Sequence, residues 1–219
     1  MPTRLAFHEG LRALEDNLLG MADVVSHAIE RSIQALEARD PELAREVIDG
    51  DERINDLYTR VERETLELIA TQQPLATDLR EILAIGAIAT DLERIGDHAK
   101  GIAVVALRAM NEPPFWPVVE IPRMADLVRE LLAEELTTFV QRDEAGARRV
   151  AARDDEVDGL YSQVYDRLIA AMTEDRTLIS RASRLMWVAK SLERIGDHVT
   201  NIGERVVFLK TGELVELNT

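Results

Sequence analysis

Apolar residues recur at three- and four-residue intervals over long stretches of the chain, the spacing that gathers them on one side of an α-helix. The clearest stripe is Ile85, Ile88, Leu92, Ile95, Ala99, Ile102 and Ala106. A second one matches it position for position: Leu185, Val188, Leu192, Ile195, Val199, Ile202 and Val206. Polar punctuation bounds the helices. Asp40 before Pro41 reads as an N-cap with proline at the first helical position. Pro74 follows Thr71-Gln72-Gln73 at a second break, and Pro113, Pro114, Pro117 and Pro122 mark the one stretch, 111–121, that the pattern leaves non-helical. The first half therefore reads as helices over roughly 5–38, 41–72 and 76–110. Helices of this size are about 45 Å long at 1.5 Å per residue and call for a bundle with short connections.

The two stripes belong to a larger repeat. The heptapeptide LERIGDH occurs at Leu92–His98 and again at Leu192–His198, an offset of 100. Arg39-Asp40 matches Arg142-Asp143, Asp51 matches Asp154, and Leu57-Tyr58 matches Leu160-Tyr161, all at an offset of 103. The register holds along helices and slips by three at the corner between the second and third, where connections tolerate length changes. That is the signature of duplication. The expected fold is all-α, two tandem and similar three-helix bundles with six long helices: a first repeat over 1–110, a Pro-rich linker over 111–121 and a second repeat over 122–219.

Composition narrows the function. The chain is 46% hydrophobic but only 4% aromatic, which suits Leu/Ile/Val/Ala helix cores better than sheets. Forty-one acidic against 26 basic residues give a formal charge of −15, so phosphate backbones and anionic lipid are poor partners. Cations or basic protein surfaces are better ones. With no cysteine there is no disulfide, thiolate metal site or cysteine nucleophile. The N-terminus becomes charged too soon for a secretory signal, and the longest apolar run, Ile82 to Ala89, is too short to span a bilayer. A soluble cytoplasmic protein without a membrane span is the expectation.

Candidate chemistry lies in the repeated acids. Glu93 and Asp97 are four apart and share a helix face, as do Glu193 and Asp197. The wheel puts this face nearly opposite the apolar stripe, on the outside of each unit. Asp154 and Asp158 repeat the spacing on the preceding helix, with Asp51 and Asn55 at the matching positions. Second and third helices lying side by side would give each half four oxygen-bearing side chains, a donor set for hard or borderline cations. The ordinary alternative is a solvated acidic face paired with Arg94 and Arg194, each pair contributing about 0.3–0.5 kcal/mol. Gly96 and Gly196 sit inside helices, where glycine costs up to about 1 kcal/mol relative to alanine; close helix approach is the ordinary reason for them. His98 and His198 lie about 100° round the helix from the neighbouring Asp and are read as structural or surface residues, not ligands. His8 and His27 have no motif around them.

These segments resemble the PhoU proteins, bacterial accessory regulators of phosphate uptake. The resemblance rests on both LERIGDH copies, the Thr71–Arg80 junction, the Asp51 and Asp154 segments and the ending Val207-Phe208-Leu209-Lys210-Thr211-Gly212, and it covers nearly the whole chain. It implies two similar three-helix bundles, often in a homodimer. It also implies a regulator working between the ATPase subunit of a phosphate ABC transporter and a phosphate-sensing histidine kinase, restraining the phosphate-starvation response. Some members hold multinuclear iron or zinc through E(D)-x-x-x-D motifs. Glu93/Asp97, Asp154/Asp158 and Glu193/Asp197 match that motif, whereas Asn55 offers a neutral amide where the pattern has an acid, which weakens the case for metal in the first half.

A non-enzymatic adaptor is accordingly the leading reading: no catalytic residues can be nominated by spacing, and no glycine-rich phosphate loop is present. Phosphate itself would be met, if at all, through a carboxylate-bound metal. The competing reading is a carboxylate-bridged metalloenzyme of the di-iron helical-bundle type. Such sites need Glu-x-x-His facing the bundle interior, and Gly96 and Gly196 stand where the histidine belongs. A purely structural helical spacer is a third reading, one that leaves the repeated acids unexplained.

Overall fold

The computed structural model describes residues 4–110, 112 and 120–217. Within these, the first half forms α1 (Arg4–Ala38), α2 (Pro41–Gln72) and α3 (Ala76–Ala109), within a residue or so of the bounds the sequence predicts. The second half forms α4 (Glu120–Gln141), α5 (Glu144–Ala151), α6 (Asp154–Glu174), a 3-10 turn at Arg176–Leu178 and α7 (Ile179–Thr211). No strand occurs among the described residues. Most of the 111–121 linker lies outside them. Its last two positions differ from expectation, because Glu120 and Ile121 already belong to α4. Pro122 fits in that first turn, where backbone N–H groups have no intrahelical acceptor to lose.

The corners follow local chemistry. Asp40 caps α2 by accepting from the backbone N–H of Glu42 and Leu43 at 2.9 and 3.1 Å, with Pro41 in the first turn. Arg39 and Arg142, equivalent under the duplication, both turn the chain with positive φ (55° and 52°). Arg39 then donates to the carbonyls of Ala109, Met110 and Glu112, satisfying acceptors at the end of α3. The three-residue shortening falls at the second corner. Gln73-Pro74-Leu75 separate α2 from α3, whereas Asp175 alone precedes the 3-10 turn leading into α7.

One expected helix is broken. The stretch equivalent to α2 divides into α5 and α6 at Ala152-Arg153. Asp154, Asp155 and Glu156 form the first turn of α6, and three acids in a row favour a helix start because they face the positive end of its dipole. Arg153 draws the break inward, pairing with Glu130 and Glu134 of α4 and with Glu156.

Both predicted stripes are buried. Ile85, Ile88, Leu92, Ile95, Ala99 and Ile102 are fully enclosed among α1, α2 and α3, and Val188, Leu192, Ile195, Ile202 and Val206 are enclosed by α4, α5 and α6. Each buried Val, Leu or Ile among them contributes roughly 1.5–3 kcal/mol. Leu14, Leu18, Met21, Val25 and Ile29 complete the first core from α1. The halves meet chiefly through α3 against α7. Asp91 lies against Asn201, His98 against His198 and Gly101 against Trp187. One number rises as the other falls, so the two helices run antiparallel, related by an approximate two-fold axis near the histidines.

Candidate functional site

Helix α2 brings Asp51 and Asn55 to α3, which carries Glu93 and Asp97; α6 brings Asp154 and Asp158 to α7, which carries Glu193 and Asp197. Gly96 and Gly196 permit the approach. A Cβ at 96 would come within 2.9 Å of Ile54 Cδ1, and one at 196 within 2.6 Å of Asp154 Oδ1. Close packing is thus what both mid-helix glycines serve.

The acids are not uniformly on the outside. Asn55, Asp97 and Asp158 are exposed, and Glu93, Glu193 and Asp197 are half-buried. Asp51 and Asp154 are buried, 5% and 6% accessible, which corrects the expected outward surface at those two positions. The reason is periodicity: Ala44, Val47, Asp51, Ile54 and Val61 form one inward stripe of α2. In α6, Asp154 likewise lies three residues before the buried Val157. That stripe is present in the sequence, and it outweighs the i,i+4 pairing with residues 55 and 158.

The two sets differ in how charge is met. In the first, Lys100 Nζ lies 2.6 Å from Asp51 Oδ2, and Asn55 Nδ2 donates to the same oxygen at 3.1 Å. This bond raises the Lys100 pKa, as expected when the charged form gains the partner. Glu93 also titrates higher than usual, first through burial and then through the adjacent Asp97 charge, with Arg94 opposing. Arg94 sits 3.5 Å from both Glu93 and Asp97. In the second set Lys190 pairs with Glu193 from its own helix, and Arg194 lies 3.2 Å from Asp197. The Lys100 position is taken by Thr200.

As placed, no three His, Asp or Glu side chains among the described residues converge to hold a metal ion. The second set comes nearer to suiting one. Its acids include Asp154, Glu193 and Asp197, and Glu193 Oε2 is buried without a hydrogen-bond partner among the described residues. Each set also has a lysine on one acid, Lys100 on Asp51 in the first and Lys190 on Glu193 in the second.

The histidines have a role that periodicity does not reveal. The His98 and His198 rings are 5.9 Å apart across the α3–α7 seam, and His198 Nδ1 lies 2.9 Å from Asp91 Oδ1. Asn201 donates to that same Asp91 oxygen at 3.1 Å. Burial and the neighbouring His198 push the His98 pKa down. Both acid sets therefore border one seam, close to its axis. Asp91, Lys100 and Asn201 carry no repeated motif, since their counterparts are Ser191, Thr200 and Gly101. Nothing short of the helix pairing itself would have singled them out.

The family model described as PhoU domain matches the chain twice, over residues 18–106 and 121–206. A Phosphate-specific transport system accessory protein PhoU homolog from Clostridium acetobutylicum is 38% identical over 217 residues, covering 99% of both chains. One from Aquifex aeolicus is 40% identical over 206 residues, covering 94% of this chain and 93% of its own. Among solved structures, PhoU from Pseudomonas aeruginosa superimposes with a TM-score of 0.90 at 35% identity, covering 94% of this chain and 100% of that one. The phosphate transport system regulatory protein PhoU from Streptococcus pneumoniae gives 0.88 at 31% identity, covering 95% and 99%. With two repeats, two acidic heptapeptides and relatives aligned end to end, the chain belongs to the PhoU family.

Proposed function

We propose that this protein serves a phosphate-specific transport system as a non-enzymatic accessory, linking the ATPase subunit of the phosphate ABC transporter to a phosphate-sensing histidine kinase. It holds the phosphate-starvation response off when phosphate is plentiful, and it works in the cytoplasm as a homodimer. The observation that carries this reading is the pair of acidic motifs flanking the α3–α7 seam. Asp97 is exposed, and Glu93, Glu193 and Asp197 remain partly open on a scaffold of rigid helices. No described helix is long and apolar enough to cross a membrane, so contact with a membrane transporter runs through such a surface. Replacing Glu93, Asp97, Glu193 and Asp197 together by alanine is expected to abolish retention of the ATPase subunit and the kinase in pull-downs while helicity by circular dichroism is unchanged. Retention at the level of the unmodified protein would overturn the reading.

Iron or zinc binding belongs to the same acids, and the second set is the better host. It has an acid at Asp158 where the first has the Asn55 amide, and the buried Glu193 Oε2 lacks a hydrogen-bond partner among the described residues. A bound cation would relieve repulsion among the carboxylates. Elemental analysis of the purified protein is expected to show metal that is lost with Glu193→Ala/Asp197→Ala and largely kept with Glu93→Ala/Asp97→Ala. Equal loss from both pairs would remove the distinction.

A further inference from the structure

Where the halves meet, α3 and α7 leave a groove of about 650 Å³, within the usual range for small-molecule sites. Its middle is an indole whose outer edge abuts bare backbone. A Cβ at Gly101 would come within 2.5 Å of the Trp187 ring, so glycine at that position is what seats the ring against α3. Trp187 nonetheless keeps 46% of its surface exposed and lines the groove together with Val104. A large aromatic side chain left this open is a ready stacking surface for another flat ring.

The antiparallel pairing sorts the charges. Asp97 and Lys100 lie towards one end of the groove, and Arg108 and Arg184 lie towards the other. Lys100 is engaged by Asp51. Arg108, by contrast, is exposed and has no ion pair among the described residues. Arg184 pairs with Glu112 and donates to Ser180 Oγ at 3.2 Å, contacts that engage only part of a five-donor guanidinium. In a chain of net charge −15, two guanidiniums against the one carboxylate of Glu112 leave this groove end with a positive excess. Arg108 is seven residues beyond Gly101, about 10 Å along the helix, comparable to the reach from a purine ring to the second phosphate of a nucleotide.

We propose that this groove binds a nucleotide, with the base stacked on Trp187 and the phosphates held by Arg108 and Arg184. Guanidinium forks match phosphate oxygens, and the indole would be idle with inorganic phosphate alone. Asp97, at the far end, accepts from amino or hydroxyl donors of the base or sugar and repels a second anion there. A phosphate reaching Arg184 competes with Glu112, so binding loosens the residue that leads into the linker between halves. None of this depends on the adaptor reading, because the test uses the protein alone.

Calorimetric titration of the intact protein with ADP, in the presence of a chelator to keep metal out, is expected to give saturable binding at one site per chain. Adenosine and inorganic pyrophosphate should each bind about tenfold or more weakly. Trp187→Ala and Arg108→Glu should each weaken ADP about tenfold with circular dichroism unchanged. Arg108 is exposed and unpaired among the described residues, so its substitution decides the matter even if the tryptophan variant proves unstable. No saturable heat at millimolar ADP would overturn the proposal. So would pyrophosphate binding as tightly as ADP, or ADP affinity unmoved in a folded Arg108→Glu protein.

Discussion

The two halves keep their apolar packing and redistribute their charges. Where the first half sets Lys100 against the buried Asp51, the second has Thr200 at the matching place and Lys190, where the first has Thr90, meeting Glu193 from the same helix; Arg94 and Arg194 serve alike in both. The opposite trade occurs on the first helix of each unit. Ser32 is buried in α1, bonded to the Ile29 carbonyl at 2.8 Å, whereas α4 has Glu135 at the equivalent position, fully enclosed. The glutamate fits because its neighbour on α7 is Gly203, where a Cβ would lie 3.1 Å from the Glu135 carboxyl; α3 has Ala103 at that point. Size is exchanged pairwise, Ser with Ala and Glu with Gly, so the helices keep their spacing. A duplicated core resists changes of volume but lets polar groups drift as long as a partner or a proton absorbs the charge.

If the cores are equivalent, equivalent truncations should cost the same. Leu92→Ala and Leu192→Ala each remove a fully buried side chain and should each lower stability by about 3 kcal/mol in denaturant unfolding. A clear difference between them would show that the halves are packed to different standards.

Glu135 should separate the halves by pH. Burial pushes its pKa up to about 8 from 4.5, with Thr138 opposing. Between those values the folded protein holds a proton that the unfolded chain releases, so stability falls as pH rises from about 4.5 to about 8. The loss is a few kcal/mol across that span, since each tenfold change in proton affinity is worth about 1.4 kcal/mol. Glu135→Gln should flatten the profile measured by chemical denaturation at several pH values. A profile that keeps its slope in the variant would place the effect elsewhere.

Removing the ion pair of the first half should matter more than removing the hydroxyl of the second. Lys100→Ala leaves Asp51 buried without its cation and should cost about 2 kcal/mol, less than for a sealed pair because the ammonium is partly in water. Thr200→Ala, which trims a buried side chain without stranding a charge, should cost about 1 kcal/mol. Equal costs by thermal unfolding would dissolve the distinction.

The smallest contrast is at the first corners. Asp40→Ala removes two cap hydrogen bonds and should cost about 1 kcal/mol, while Asp143→Ala should cost less than about half of that, because Asp143 makes no side-chain cap bond. Thermal unfolding of the two variants side by side measures the gap.

The helices are legible in the sequence because their signals are local and redundant. Pro41, Pro74 and the stripe from Ile85 to Ala106 fix three elements with little help from the rest of the chain. The break at Ala152-Arg153 is not, since no proline or glycine marks it; the run Asp154-Asp155-Glu156 suits a helix start, but the pull of Glu130 and Glu134 on Arg153 becomes apparent only once α4 lies alongside. At the candidate site, spacing picks out the paired acids but puts Asp51 and Asp154 on the wrong side. Their i,i+4 partners suggest a solvent face, whereas Ala44, Val47 and Ile54 already point inward. The histidine contact depends on how α3 meets α7, information that no window along a single helix contains.

The meeting of His98 with His198 has a consequence for how substitutions combine. Because like residues touch, the two heptapeptides are neighbours turned half a circle from each other, not distant outposts at the tips of a rod. A substitution in one copy therefore sits beside the other copy, and changes made in both are expected to couple instead of adding.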